Sequence, residues 1–512
     1  MSFSLNGRAS GVLLHPTSLP GPHGCGDLGP SAHAFASFLA KAGQRLWQML
    51  PVGPAGYGNS PYSAQSAFAG NPLLISLEQL VEEGLLPLRA LAAPPVFPAG
   101  RVDFAAARAW REQNLRLAHE AFPQRTSDHP SYQIFCAENA AWLEDFALFS
   151  AIKRARREVS WTEWEPELRD REPGALERAR TALRGEIAQE RFEQYLFARH
   201  WRTLRARAAE QGVSLIGDVP IFVAHDSADV WAHRELFFLE ASGATTVIAG
   251  VPPDYFSATG QRWGNPLYRW DVAEQSGFQW WLQRFGQMLT RFDAIRLDHF
   301  IGFHRYWEIP GNEPTAQNGR WQPGPGAKLF EAVLRAHGSL PLIAEDLGAV
   351  TPEVTALRDQ FGLPGIKLLQ FAFGTDAQAP TFRPHHYTRN SVAYTGTHDN
   401  DTTVGWFNEK ASPQRTRAQC AAERGAALEY LDARSKKDIH WEMIRAVWAS
   451  VANLALCPAQ DLLGLGSAAR MNLPGTAQGN WEWRLLPGQL GDGEAARLHE
   501  LTRIYERMGS GR

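Results

Sequence analysis

Four short apolar runs in this chain each end in a carboxylate. Asp218 closes SLIGDVP, Asp298 closes AIRLDHF, Glu345 and Asp346 close PLIAEDLG, and Asp399 closes VAYTGTHD. If a fold gathers such strand ends, their carboxylates can work on a glycosidic bond, a reaction that needs one carboxylate charged and another protonated. Arg296 and Asp298 are two residues apart, so in a strand they share a face. A guanidinium beside Asp298 would lower its pKa and hold it ionised, which suits a nucleophile. Glu345 follows apolar Leu342, Ile343 and Ala344. Partial desolvation would raise its pKa, which suits a general acid. Asp399 would stabilise an oxocarbenium-like transition state or bind sugar hydroxyls. His299 and His398 each adjoin one of these aspartates; they could donate to sugar hydroxyls or simply pack the rim.

A carboxylate after a strand also commonly caps the next helix or shapes a turn. Asp346, and Asp401 in THDNDTT, are candidates for that. Four strands ending this way at once point instead to a shared polar rim. Metal-assisted hydrolysis is the competing chemistry, but there is no HExxH, no DxDxDG loop and no tight His cluster. THDND could hold a cation. Neither a GxSxG elbow nor a Walker A motif is present. The chemistry read here needs no metal and no organic cofactor.

Such a rim requires parallel strands that all point one way. Eight strand-like runs occur: Ser10–Leu19, Gln44–Pro54, Val213–Ala224, Phe292–Phe300, Leu340–Gly348, Gly365–Phe373, Asn390–Asp399 and, weaker, Ala459–Gly466. Helical stretches lie between several of them, including SAHAFASFLAKAG, AKLFEAVLRAHG and HWEMIRAVWASVANLAL. Eight strands with crossover helices predict an α/β fold, a (β/α)8 TIM barrel whose active site lies at the C-terminal ends of the strands. A doubly wound open sheet is the alternative, but no GxGxxG follows the first strand. Residues 76–212 carry apolar residues at helical spacing and no strong strand, which predicts a mainly helical insertion between the second and third strands.

Composition removes other classes. The chain has 512 residues, 44% hydrophobic and 21% charged, with a net charge of −3. No basic stripe suggests a nucleic-acid partner. The cluster KRARR, Lys153 to Arg157, alternates with glutamates and reads as a solvated helix face. No apolar run approaches the roughly 20 residues of a membrane span, and the N-terminus lacks a signal-like pattern. Cys25, Cys136, Cys420 and Cys457 form no CxxC pair, which disfavours a zinc site or a disulfide framework and fits a cytoplasmic setting. The 18 Trp could cover sugar faces, although large cores use Trp too.

The chain closely resembles the amylomaltases, the 4-α-glucanotransferases of the α-amylase clan. The matching stretches run nearly end to end: GVLLHPTSLP, GYGNSPYSAQSAFAGNP, IGDVPIFVAHDSADVWA, GQRWGNPLY, RLDHF, IAEDLG, YTGTHDNDTTVGW and RMNLPGTAQGNWEWR. The resemblance implies one catalytic barrel over residues 1–512 without a separate C-terminal β-domain. It also implies a second insertion at 225–290 that carries a substrate loop. It makes Asp298 the nucleophile, Glu345 the acid/base and Asp399 the transition-state stabiliser. Arg296, His299, His398 and Asp218 would support the reacting sugar, with Ser60 and Tyr62 beside it. Tyr62 looks like an aromatic platform, Trp263 part of a mobile loop on the acceptor side, Asn472 a donor-site hydrogen-bonding residue, and Phe371 a further substrate contact. Tyr255 and Phe256 add aromatics near the loop. Cys25 stands where an aliphatic residue is expected, which implies packing behind the donor site. The substrates implied are α-1,4-glucans, such as maltooligosaccharides, amylose or glycogen-derived dextrins, with a glucan or glucose as acceptor. A hydrolase of the same clan and a non-catalytic glucan-binding barrel are the alternatives.

Overall fold

The computed structural model describes residues 4–124, 128–253, 258–412, 415–433 and 436–508. Its strands in chain order are β1 (Ala9–Leu13), β2 (Leu46–Gln48), β3 (Ser214–Pro220), β4 (Val247–Val251), β5 (Gln261–Pro266), β6 (Ala294–Asp298), β7 (Arg305–Pro310), β8 (Arg320–Pro323), β9 (Leu342–Ala344), β10 (Gly365–Leu368), β11 (Ser391–Tyr394) and β12 (Leu454–Pro458). Eight of them, β1, β2, β3, β6, β9, β10, β11 and β12, close in that order into a barrel, and every pairing is parallel. This is a (β/α)8 barrel.

The strands are apolar on both faces because helices cover the outside and side chains fill the inside. Leu46, Ile216, Ala294, Ile343, Ile366, Val392 and Leu454 form an inner apolar layer with their neighbours. Side chains alternate along a strand, so the next inward positions are fixed by parity. From Ile216 the next is Asp218, from Ala294 they are Arg296 and Asp298, and from Ile343 it is Glu345. One strand face is therefore greasy at its N-terminal end and charged at its C-terminal end. The helix before β9, Ala327–His337, stops at Gly338, whose φ of 74° is left-handed and suits glycine.

The eighth barrel strand is not where the sequence placed it. It is Leu454–Pro458, and Ala459–Leu462 is a short helix. The preceding helix ends at Ala449, so the apolar run LALC begins a strand rather than continuing helical spacing. A short run buried on both faces has no period to betray which it is.

Between β2 and β3 lie helices Leu77–Glu82, Phe104–Ala121, His129–Glu138, Ala140–Ala155, Pro173–Ala182 and Arg184–Glu210. Ser76 and Asp103 cap the first two through backbone N–H groups, and Pro173 opens its helix at the first turn, where a missing N–H costs nothing. The KRARR run is not a solvated face throughout. Lys153 is buried and donates to Asp226 and to the carbonyls of Glu158 and Val159, while Arg154 pairs with buried Glu190. A second sheet, in the order β5-β4-β7-β8, is antiparallel. It unites segments from either side of β6, a pairing no local pattern announces. Among the described residues, no helix is long and apolar enough to cross a membrane.

Candidate active site

Adjacent strands β3, β6 and β9 bring four charged side chains to the C-terminal mouth of the barrel. Asp218 lies in register with Arg296, and Leu297 with Ala344, so Asp298 and Glu345 follow at neighbouring places on neighbouring strands. One terminal nitrogen of Arg296 donates to both oxygens of Asp218 at 2.8 and 2.7 Å and reaches Asp298 Oδ1 at 3.0 Å. Tyr62 donates its phenol to Asp218 Oδ2 at 2.7 Å. Burial works against the Arg296 charge, and Asp218 and Asp298 more than offset it, so the guanidinium stays charged. Burial and then Asp218 push the Tyr62 phenol well up, so it remains a neutral donor.

The backbone turns sharply after Asp298. His299 has φ 54°, a left-handed conformation uncommon outside glycine, and its N–H donates to Glu345 Oε2 at 2.7 Å. Burial pushes the Glu345 carboxyl well above its ordinary range; Arg296 pulls it down and Asp298 pushes it further up. Asp298 corrects the simple reading of its neighbour. Arg296 does pull its pKa down, yet burial outweighs that and carries it up to about 7. Arg296 already serves Asp218, whose charge, with that of Asp399, also presses on Asp298. Of the two, Glu345 is the better proton holder because Asp298 has a guanidinium on its oxygen.

Asp399 and His398 arrive on the loop after β11. Asn472 donates to Asp399 Oδ1 at 2.6 Å, and Arg470 donates to the main-chain oxygens of Asp399 and Asn472, both at 2.6 Å. His398 Nε2 lies 3.4 Å from Asp399 Oδ2. Burial lowers the His398 pKa although Asp399 raises it, so the ring is a neutral donor. The same ring stacks on Tyr62, with centroids 5.2 Å apart. Burial lowers His299 to about 4, and Trp263 meets its ring edge-on at 4.8 Å. Trp263, on β5, keeps 38% of its surface exposed beside the rim.

Not every expected residue joins this group. Ser60 accepts the Tyr62 backbone N–H at 3.2 Å, shaping the Tyr62 loop. Phe371 meets Phe382 edge-on at 5.5 Å and packs on the inner apolar layer. Tyr255 and Phe256 lie outside the described residues. Cys25 is buried, with Sγ donating to the Leu73 carbonyl at 3.7 Å. Neither Asp346 nor Asp401 caps a helix. Asp346 joins Arg358 and the Ile366 N–H, and Asp401 accepts from Thr402 N–H and Ser467, while Thr402 caps the helix itself.

Sequence reasoning passed over Trp481. Its ring completes a triangle with Tyr62 at 5.8 Å and His398 at 5.9 Å, and its φ is 66°. A bulky residue held left-handed is a true outlier and marks strain kept by its surroundings. Its only sequence signal was membership of the stretch GNWEWR.

Fold and rim together fit a (β/α)8 enzyme acting on glycosidic bonds. The family model described as 4-alpha-glucanotransferase matches residues 14–489. The 4-alpha-glucanotransferase of Thermus thermophilus is 50% identical, over 98% of this chain and 99% of its own. That of Solanum tuberosum, chloroplastic/amyloplastic, is 42% identical over 98% of this chain and 87% of its own. The amylomaltase from Streptococcus agalactiae in complex with acarbose superposes with a TM-score of 0.92 at 38% identity, over 98% of this chain and 99% of that one. The chain belongs to the 4-alpha-glucanotransferase family.

Proposed function

We propose that this enzyme moves an α-1,4-glucan segment from a donor to the 4-hydroxyl of an acceptor glucan or glucose, by double displacement with retention. Asp298 attacks the anomeric carbon while Glu345 protonates the departing oxygen. The leaving chain departs from a covalent glucosyl-enzyme. Glu345, now a base, takes the proton of the acceptor hydroxyl, and the link is remade. Asp399, aligned by Asn472 and His398, supports the oxocarbenium-like transition state. Tyr62 offers its face to the sugar, and His299 and His398 bind its hydroxyls. Residues 76–212 and 225–290 are read as insertions on a single catalytic barrel, the second carrying Trp263 to the acceptor side. No metal takes part in these steps. The setting proposed is cytoplasmic turnover of maltodextrin or glycogen-derived chains.

The observation that carries this reading is the placement of Asp298 and Glu345 one step past the Leu297–Ala344 register, joined through the His299 N–H. Neighbouring strands run about 4.8 Å apart. That favours the carboxyl spacing of about 5–5.5 Å used for retention over the ~6.5–9.5 Å that leaves room for an inverting water. Transfer further demands that the intermediate be covered from water, a task suited to Trp263. The test is incubation with maltotriose alone, without added metal. Longer maltodextrins plus glucose, with little gain in reducing ends, support transfer. Glucose and maltose with a matching gain in reducing ends, and no longer chains, would make it a hydrolase.

A further inference from the structure

Asp461 is a buried carboxylate in the short helix that follows β12, and the chemistry above does not use it. It is 1% exposed. Its Oδ2 accepts from Thr395 Oγ1 at 2.6 Å and from Thr403 Oγ1 at 2.8 Å, and its Oδ1 accepts from the Thr403 N–H at 2.6 Å. Thr395 and Thr403 are themselves fully buried. Thr395 directly follows β11, and Thr403 begins the helix Thr403–Asn408. The two threonines are therefore the two ends of one loop, and that loop carries His398 and Asp399. One side chain from the short helix after the neighbouring strand grips both ends.

The interior of the loop is tied in the same sense. Asn400 Oδ1 accepts from Thr397 N–H and Oγ1 at 2.8 and 3.0 Å. Gln370 donates to the Asp401 carbonyl at 2.9 Å, and Ser467 to Asp401 Oδ2 at 2.6 Å. These bonds shape the loop. Main-chain bonds from the Thr395 N–H to the Leu456 carbonyl at 3.3 Å and from the Gln370 N–H to the Thr395 carbonyl at 3.2 Å also tie the first end to the barrel, but the Asp461 carboxylate bonds both ends at once. A buried carboxylate with no cation at its oxygens among the described residues is costly, and two hydroxyls and an N–H offset that cost. An apolar residue would fill the space without that expense, so stability alone is a poor reason for an acid here.

We propose that Asp461 is a positioning residue for glucan transfer, holding Thr395 and Thr403 so that His398 and Asp399 stand correctly against the reacting sugar. The proposal rests on the reading that Asp399 and His398 belong to the active site. Displacements of about 1 Å in such groups cost up to ~100-fold in rate.

The test is maltotriose disproportionation and thermal melting of five variants of the full chain. Asp461→Ala is expected to lower kcat by about 10- to 100-fold while KM stays within about threefold. Asp461→Asn keeps an acceptor for the Thr403 N–H, and the threonine hydroxyls can turn to meet its amide, so it should recover most of that loss. Asp293→Ala supplies the contrast. Asp293 accepts from Leu215 N–H at 2.8 Å and pairs with Arg205, at the opposite end of the barrel. It should lower Tm with kcat intact. If Asp461→Ala lowers Tm and leaves kcat within about twofold, the role is merely structural and the proposal is wrong. Should Asp461→Ala not fold, Thr395→Val removes one of the three bonds; an unchanged kcat there overturns the proposal as well. Asp399→Asn separates the two readings. If it remains active, the site reading fails; if it is dead while Asp461→Ala is normal, only the positioning role fails.

Discussion

Two regions of the molecule bury a pair of carboxylates beside an arginine, and only one of them is a candidate site. In the helical insertion Glu190 and Glu193 lie on Arg184–Glu210, each 2% exposed, with Arg154 on Glu190 and Gln189 donating to Glu193 at 2.8 Å. Burial, and then the Glu190 charge, push Glu193 up to about 8. In the barrel, burial likewise pushes Asp298 to about 7 and Glu345 well up. The electrostatics are alike. The openness is not, because the Asp298 side chain is 26% exposed and that of Asp399 45%. A raised carboxyl reports desolvation. It becomes a candidate catalyst only when a ligand can reach it and other groups converge on the same point.

The sharpest way to break this comparison is to neutralise each pair in turn. Asp298→Asn should lower maltotriose transfer by about 10⁴-fold or more, since a nucleophile has no substitute. Glu345→Gln should lower it by about 10²- to 10⁴-fold, the usual worth of a general acid. Normal turnover in either variant would remove that residue from the mechanism.

Arg296→Met comes next. It strands Asp218 and Asp298 against each other in a buried place and should cost about 3–5 kcal/mol of stability, read by denaturant unfolding. The pH profile gives a second readout. A nucleophile must be deprotonated, so activity falls as pH drops through the Asp298 pKa. Losing Arg296 raises that pKa further, and the acid limb must move to higher pH. An acid limb that stays put would mean Arg296 does not tune Asp298.

Glu193→Gln tests the other half. The folded pKa of Glu193, about 8, lies above its ordinary 4.5, so the native state holds the extra proton between those values. By linkage, its stabilising share is complete below the ordinary value and is lost as pH rises toward 8. Glutamine cannot ionise, so the variant should melt higher than the parent at pH 8, with a flatter dependence of Tm on pH. Transfer should be unchanged. A large loss of kcat would show that the buried insertion pair does more than pack.

The smallest effect is expected at the rim. Trp263→Ala should raise the ratio of hydrolysis to transfer several-fold, by uncovering the intermediate, with modest change in total turnover. Comparing glucose release with chain-length products measures it, and an unchanged ratio would leave Trp263 without this role.

Much of the fold was legible in the chain, for reasons tied to particular residues. Seven of the eight barrel strands announce themselves as apolar runs between breakers, and the two-residue spacing of Arg296 and Asp298 places them on one face. The eighth strand was misread because LALC, buried on both sides, looks like the end of the helix before it. The β5-β4-β7-β8 sheet escaped because its strands come from both sides of β6 and are half-exposed. Trp481 was invisible as a neighbour of Tyr62 because more than 400 residues separate them in the chain.

Local order is what the sequence by itself determined: where strands run, that their C-terminal ends are acidic, and that a parallel barrel would put those ends on one rim. Side-chain alternation and hydrophobic burial act over a few residues, so a linear pattern records them. Partnership was decided only in three dimensions. Arg296 gives its strongest contacts to Asp218 rather than to Asp298, Asp346 binds Arg358 instead of capping a helix, and Asp461 holds a loop from the helix that follows the next strand. Charges and hydrogen bonds act through space over a few ångströms, and which groups come that close is set by how the whole chain closes on itself.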